Sequence, residues 1–154
     1  MKRKKIFIIT LWALAGLLVV IQFVPIDRTN PVSDEKSDFI TINNMPPTIA
    51  SQLMNSCYDC HSNQTVWPWY SRVAPVSFII RNHVSEGRRH LNFSTWDSYS
   101  FIKQQKKLDG CVEMIQEGEM PLAGYVPFHP KAKLTGDAKE ELINWLKSQI
   151  RKPE

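Results

Sequence analysis

Asn55-Ser56-Cys57-Tyr58-Asp59-Cys60-His61 is the stretch on which the reading of this 154-residue chain turns. Cys-x-x-Cys-His is the attachment sequence of c-type haem. A helical pattern leads into it: Pro46 and Pro47 stand where a helix start tolerates proline, and Ile49 and Leu53 follow at four-residue spacing. Extending that face reaches Cys57, with Cys60 and His61 three and four residues further on, so the three groups share one side of a helix. Two thiols can then meet the two vinyl groups on one haem edge while the imidazole approaches iron from the same side. The expectation is one covalent haem c, bound through Cys57 and Cys60, with His61 as an axial iron ligand.

Two other uses of the cysteine pair compete. A thioredoxin-like redox pair needs its first thiol at a helix N-terminus, where the dipole stabilises thiolate. Here the pair falls at the end of a helical pattern. A zinc site built from Cys57, Cys60 and two of His61, His83, His90 and His129 lacks the second closely spaced ligand pair usual in structural zinc sites. The third cysteine, Cys111, stands alone, and three cysteines so spread are not a disulfide framework. A bridge between Cys57 and Cys60 would close too small a loop to stabilise much.

The charge is as uneven as the cysteine distribution. The net formal charge is +4, yet residues 1–30 hold Lys2, Arg3, Lys4, Lys5 and Arg28 against Asp27 alone, so the remainder is balanced. No basic face for nucleic acid is implied on the folded part. After the basic cluster an apolar run extends from Ile6 to Val24, broken only by Thr10 and Gln22. A helix of that length covers about 28 Å, close to the hydrocarbon core of a bilayer. A cleaved signal peptide is the rival, but Phe23-Val24-Pro25-Ile26-Asp27 offers no small-residue cleavage site and the run exceeds a usual signal core. Residues 1–26 are therefore expected to be a single-pass anchor. The positive cluster puts the N-terminus in the cytoplasm and the rest in the periplasm of a bacterial inner membrane. Residues 27–45, polar and containing Pro31, read as a tether, and 46–154 as the haem domain. Because haem is attached to such motifs outside the cytoplasm, anchor and motif agree.

Beyond the motif itself, Cys57 to Thr65, Trp67-Pro68-Trp69-Tyr70-Ser71 and Ala74-Pro75-Val76-Ser77 resemble the bacterial haem-binding domain family typical of Bacteroidetes. Glu86-Gly87-Arg88, Leu91-Asn92-Phe93-Ser94, Gly118-Glu119-Met120-Pro121-Leu122, Tyr125 and His129-Pro130 extend the match. The resemblance runs from about residue 40 to the C-terminus. It implies haem bound through Cys-x-x-Cys-His behind one hydrophobic helix, and implies little about partners.

An electron-carrying cytochrome usually fills the second axial position with Met or His. Met45, Met54, Met114, Met120, His83, His90 and His129 are the candidates. Met120 is the choice: it follows a helix ending near Gly118, with Pro121 fixing the backbone beside it, and is similar to the Met-Pro loops of small c-type cytochromes. Met54 lies too close to the motif to reach the opposite haem face, and Met114 reads as core inside the preceding helix. His129 is the alternative ligand, with a hydrogen bond in its loop or to a haem propionate as its expected role. His83 and His90 read as surface or core histidines.

The remaining pattern is helical. A helix is expected from Pro75 to about Arg89, with Val76, Ile79, Ile80, His83 and Val84 as its stripe. Another is expected from about Thr95 to Glu117, with Phe101, Leu108, Cys111, Val112 and Ile115 inside and Gly110 as a place for a kink or break. A last one runs from Thr135 to about Gln149, with Leu142, Trp145 and Leu146 inward. The fold class is all-α, a small helix-loop cytochrome c-like domain after one transmembrane helix. Trp67, Trp69 and Tyr70 are candidates for walling the haem, and Arg72 and Arg88 for pairing with its propionates.

With His61 and Met120 both on iron, no position is left for substrate. One-electron transfer at the periplasmic face is therefore expected rather than an enzyme, with a redox protein or membrane electron-transfer chain as partner. A haem-based sensor or peroxidase-like enzyme with an open sixth site is the alternative, and a zinc-binding structural module a weaker one.

Overall fold

Lys2–Val20 forms α1, which tightens into a 3-10 turn at Ile21–Phe23. The structure, a computed structural model, describes residues 2–151. Arg3–Phe23 is long and apolar enough to cross a membrane, and none of it is buried in the domain. No strand occurs among the described residues. All-α is the observed class.

The segment expected to be a tether divides in two. Residues 24–34 are irregular, but Glu35–Ser37 makes a 3-10 turn and Phe39–Ile42 forms α2, both capped from outside by an aspartate. Asp34 accepts from the Lys36 N–H and Asp38 from the Ile40 N–H, satisfying donors that a helix start leaves unpaired. Phe39 is fully buried, its ring 4.5 Å from Trp96, 5.2 Å from Phe93 and 5.8 Å from Trp145. Met45 is buried beside it. The tether reading is therefore corrected for residues 35–45, which belong to the core because one large aromatic side chain carries more burial than the surrounding polar residues oppose.

Pro47–Leu53 forms α3, with Pro47 in the first turn, and buries Ile49, Ala50 and Leu53. The chain then widens into a π-turn over Met54–Tyr58 before the last turn, α4, at Asp59–His61. The regular four-residue face expected from Ile49 to Cys57 is thus interrupted just before the first cysteine. Wide turns of this kind collect at functional positions.

Val76–His90 forms α5, which packs on α4. Its inner face is Ser77, Val84 and Gly87, so the predicted stripe holds at Val84, while Val76, Ile79 and His83 are exposed. Phe93–Ser98 is a 3-10 segment, so the third long helix begins later than expected. It is α6, Phe101–Glu117. It runs unbroken through Gly110 and buries Leu108, Val112 and Ile115, while Phe101 lies on its exposed side. Gly118 ends it at φ 77°, a left-handed conformation for which glycine carries no side-chain penalty. Gly136–Ser148 forms α7, whose buried Leu142, Ile143 and Leu146 pack between α3 and α6. The aromatic core around Phe39 and the α3–α6–α7 packing form two sides of one cluster.

Candidate functional site

A cavity of about 620 Å³ opens between α4, α5 and α6. Its size falls within the roughly 300–1,000 Å³ typical of small-molecule and cofactor sites. Cys57, Cys60, His61, Met120 and Tyr70 all line it. The structure thus gathers half of the sequence-predicted residues, the attachment motif and Met120 among them, around one space.

His61 owes its orientation to α5. Its Nδ1 lies 3.1 Å from the Gly87 carbonyl and 3.2 Å from the Leu91 carbonyl. Two acceptors select the tautomer with hydrogen on Nδ1, which leaves Nε2 as the nitrogen with a free lone pair. A ring nitrogen donating to backbone carbonyl is the usual outer support of a metal-binding histidine. Burial, partly opposed by those two carbonyls, holds the imidazole below its ordinary pKa, so the neutral ligand form is favoured.

Gly87 makes that contact possible. A Cβ placed there would lie 2.4 Å from the Cys60 carbonyl oxygen. Only a residue without a side chain lets α5 approach the motif this closely.

The two residues between the cysteines are anchors. Tyr58 is buried and donates to Asp38 Oδ1 at 2.7 Å, while its ring stacks on Phe93 at 5.3 Å. Asp59 accepts from the Val66 N–H at 2.8 Å and from the Tyr125 hydroxyl at 2.5 Å. Asp38 and Tyr125 therefore hold the motif from opposite ends of the chain. Burial pushes the phenol pKa of both tyrosines upward, and the hydrogen bonds to carboxylate push the same way.

The thiols are not those of a redox pair. Burial pushes Cys57 far up, with Cys111 and then Cys60 adding to it, and pushes Cys60 up to about 11 with help from Asp59. A redox-active Cys-x-x-Cys has the opposite displacement. Nor is there a ligand set for zinc: among the described residues no three His, Cys, Asp or Glu side chains gather closely enough to hold a metal ion.

Met120 reaches the cavity from the turn that closes α6. Its N–H and that of Glu119 both donate to the Met114 carbonyl, at 3.2 and 3.0 Å, just past Gly118. Met114 and Cys111 also line the cavity, where both were expected to be core residues alone. The α6 face has two uses, with Leu108, Val112 and Ile115 inward and the neighbouring stripe turned to the cavity. His83 and His90, read as surface or core, sit on exposed positions at its rim.

Four of the suggested haem contacts lie elsewhere. Trp69 is 77 % exposed and Trp67 donates to Asn30 Oδ1 at 3.3 Å; neither lines the cavity. Arg72 is exposed and also off the cavity. Arg88 is occupied by the Ser62 carbonyl at 2.7 Å, Asn30 Oδ1 at 2.7 Å and Thr65 Oγ1 at 2.8 Å, so its guanidinium fastens the loop after the motif. His129 stacks on Tyr125 with centroids 3.8 Å apart, and its Nδ1 lies 3.1 Å from the Tyr125 carbonyl. It faces a second, smaller hollow, and the Tyr70 hydroxyl at the main cavity lies 3.3 Å from its Nε2.

Comparison with known families now bears on this arrangement. A family model described as a haem-binding domain matches residues 16–148. The chain belongs to the haem-binding domain family. No curated protein and no solved structure matches the chain. For a haem-binding domain the residues present fit the group: an apolar cavity, one buried neutral imidazole with a free Nε2, two adjacent thiols and thioether sulfur. The matched span begins inside α1 and closes with the last turn of α7, so the segment around Phe39 lies within the domain.

Proposed function

We propose that this haem-binding domain is a membrane-anchored c-type cytochrome that passes single electrons at the periplasmic face of a bacterial inner membrane. The observation that carries the reading is His61: its Nδ1 is held by the carbonyls of Gly87 in α5 and Leu91 just past it, and Cys57 and Cys60 share its cavity wall. His61 would hold the iron through its pre-oriented Nε2, and Cys57 and Cys60 would hold the haem edge through thioether bonds. The group held there supplies a reversible one-electron couple. Met120, on the same cavity, would hold the iron through its thioether sulfur, and an iron held by both His61 and Met120 would favour a carrier over an enzyme. The apolar cavity excludes water from the iron, and Tyr70 and Tyr125 close its edge.

The test is expression with a haem-attachment system, followed by absorption spectra of both redox states and a haem stain after a denaturing gel. A stained band that disappears in Cys57→Ala/Cys60→Ala is expected. Red protein giving an unstained band would leave a haem-binding domain without covalent attachment. Protease added to spheroplasts should remove the domain; protection until lysis would place it in the cytoplasm.

A further inference from the structure

The domain does not hang from its anchor on a loose strap. Gln22, in the last turn of the apolar helix, donates to the Ala74 carbonyl at 3.0 Å and accepts from the Ala74 N–H at 3.0 Å. Arg28 donates to the Ser71 carbonyl at 3.3 Å, and Asn30 to the Thr65 carbonyl at 2.9 Å. Three side chains within nine residues of the span's end therefore pin its exit to the segment that runs into α5. If Arg3–Phe23 crosses a bilayer, Ala74 sits at the lipid boundary.

The surface around Ala74 suits that position. Val73, Val76 and Ile79 are 45 %, 41 % and 53 % exposed, and Trp69 and Phe23 are more so. Single exposed apolar residues are ordinary, but a contiguous patch marks an interaction surface. Val76 and Ile79 are three apart on one side of α5, and Ile79 lies only about 7.5 Å of helix rise from Ala74. The headgroup region on each side of the hydrocarbon is roughly that thick. Trp at such a boundary places an amphipathic ring at headgroup level. Arg28 and Arg72 flank the patch.

We propose that the face formed by Trp69, Val73, Val76 and Ile79 rests in the phospholipid headgroup layer, with Arg72 beside anionic headgroups, so that the haem cavity is held at a fixed height over the membrane. This rests on the reading of α1 as an anchor and adds an orientation to it. It also gives Arg72 and Trp69 a use that the cavity does not.

The test uses full-length haem-loaded protein in vesicles of phosphatidylethanolamine and phosphatidylglycerol. A nitroxide on Ile79→Cys should relax faster with oxygen, which partitions into lipid, than with a water-soluble nickel chelate. On Ser85→Cys, nine residues beyond Val76 and so on the opposite side of α5, the order should reverse. Cys111, half-buried on the cavity wall, is replaced by Ser in every labelled variant so that it takes no label. Should Ile79→Cys fail to retain the haem spectrum, Val76→Cys gives the same reading. Protein that floats with the vesicles but shows the nickel-accessible pattern at Ile79 overturns the docked face and leaves the anchor intact. Protein that does not float overturns both.

Discussion

Gly87 of α5 and Cys60 of the attachment motif meet backbone to backbone, with room for no side chain between them: a Cβ on Gly87 would stand 2.4 Å from the Cys60 oxygen. The same glycine offers its carbonyl to His61 Nδ1. One residue thus sets both how close α5 lies and which way the imidazole faces.

Gly87→Ala should therefore lower stability by about 1–3 kcal/mol, the usual range for forcing volume into a packed site. It does so despite the roughly 1 kcal/mol by which alanine is the better helix former. Gly110 in α6 is the internal control, since a Cβ there meets nothing within 4 Å. Gly110→Ala should stabilise by about 0.5–1 kcal/mol. Urea unfolding of both variants checks the pair. Two changes of the same sign would show that helix propensity, not the approach of α5, governs Gly87.

Phe39→Ala should cost about 3–5 kcal/mol, as truncation of a buried aromatic does. Its ring lies at the centre of Phe93, Trp96 and Trp145. Val32→Ala, in the exposed part of the same stretch, should be neutral. Thermal unfolding of the two variants distinguishes a core segment from a linker.

The parts of this protein that were legible in the sequence are those whose signal is local. Cys57, Cys60 and His61 announce themselves by spacing, and Gly118 before Met120 announces a helix end. Phe39 was missed because α2 is four residues long, too short for periodicity to register, and its worth comes from partners more than fifty residues away. Arg88 was assigned to propionates by the chemistry of guanidinium alone, whereas the carbonyl and two oxygens that engage it come from residues 30, 62 and 65. The predicted α5 stripe held at Val84 and failed at Val76 and Ile79 for a different reason. Val76 and Ile79 are apolar but exposed, and apolar spacing alone does not say which side of a helix its neighbours cover. Gly87 did carry a usable signal: a glycine inside a fifteen-residue helix is costly unless something approaches it.

The haem-free chain should be alkali-sensitive in a way that the haem-loaded chain is not. Burial raises Cys60 from 9.0 to about 11 in the folded state. A raised folded pKa means the stabilising difference is fully present below pH 9 and is lost as pH climbs toward 11. Cys57 and Cys111 act in the same direction. Thioether sulfur cannot ionise, so haem attachment removes the Cys57 and Cys60 contributions and leaves Cys111. Urea midpoints at pH 8 and pH 10 should therefore fall further for the Cys57- and Cys60-bearing apo chain than for the haem-loaded one. Equal falls would mean that the two motif thiols are not protonated in the folded apo state.

Met120 is the ligand assignment most exposed to test, because Met114, six residues earlier in the last turn of α6, lines the same cavity and its backbone carbonyl accepts from the Met120 N–H. Met120→Ala should keep its haem, since attachment depends on Cys57, Cys60 and His61. It should lose the weak sulfur-to-iron absorption of the oxidised form and bind carbon monoxide when reduced. Its midpoint potential should fall, because thioether favours ferrous iron. Met114→Ala should hold spectrum and potential while destabilising the fold by about 2–3 kcal/mol, the lower part of the range for a truncated buried methionine, because Met114 is only half-buried. The opposite pattern would move the axial bond to α6. A wild-type protein that already binds carbon monoxide would mean an open sixth site, and with it a sensor or peroxidase-like enzyme in place of an electron carrier. His129→Ala separates a remaining possibility: with His129 stacked on Tyr125 and facing the other hollow, its removal should loosen the Tyr125–Asp59 contact without touching the axial spectrum.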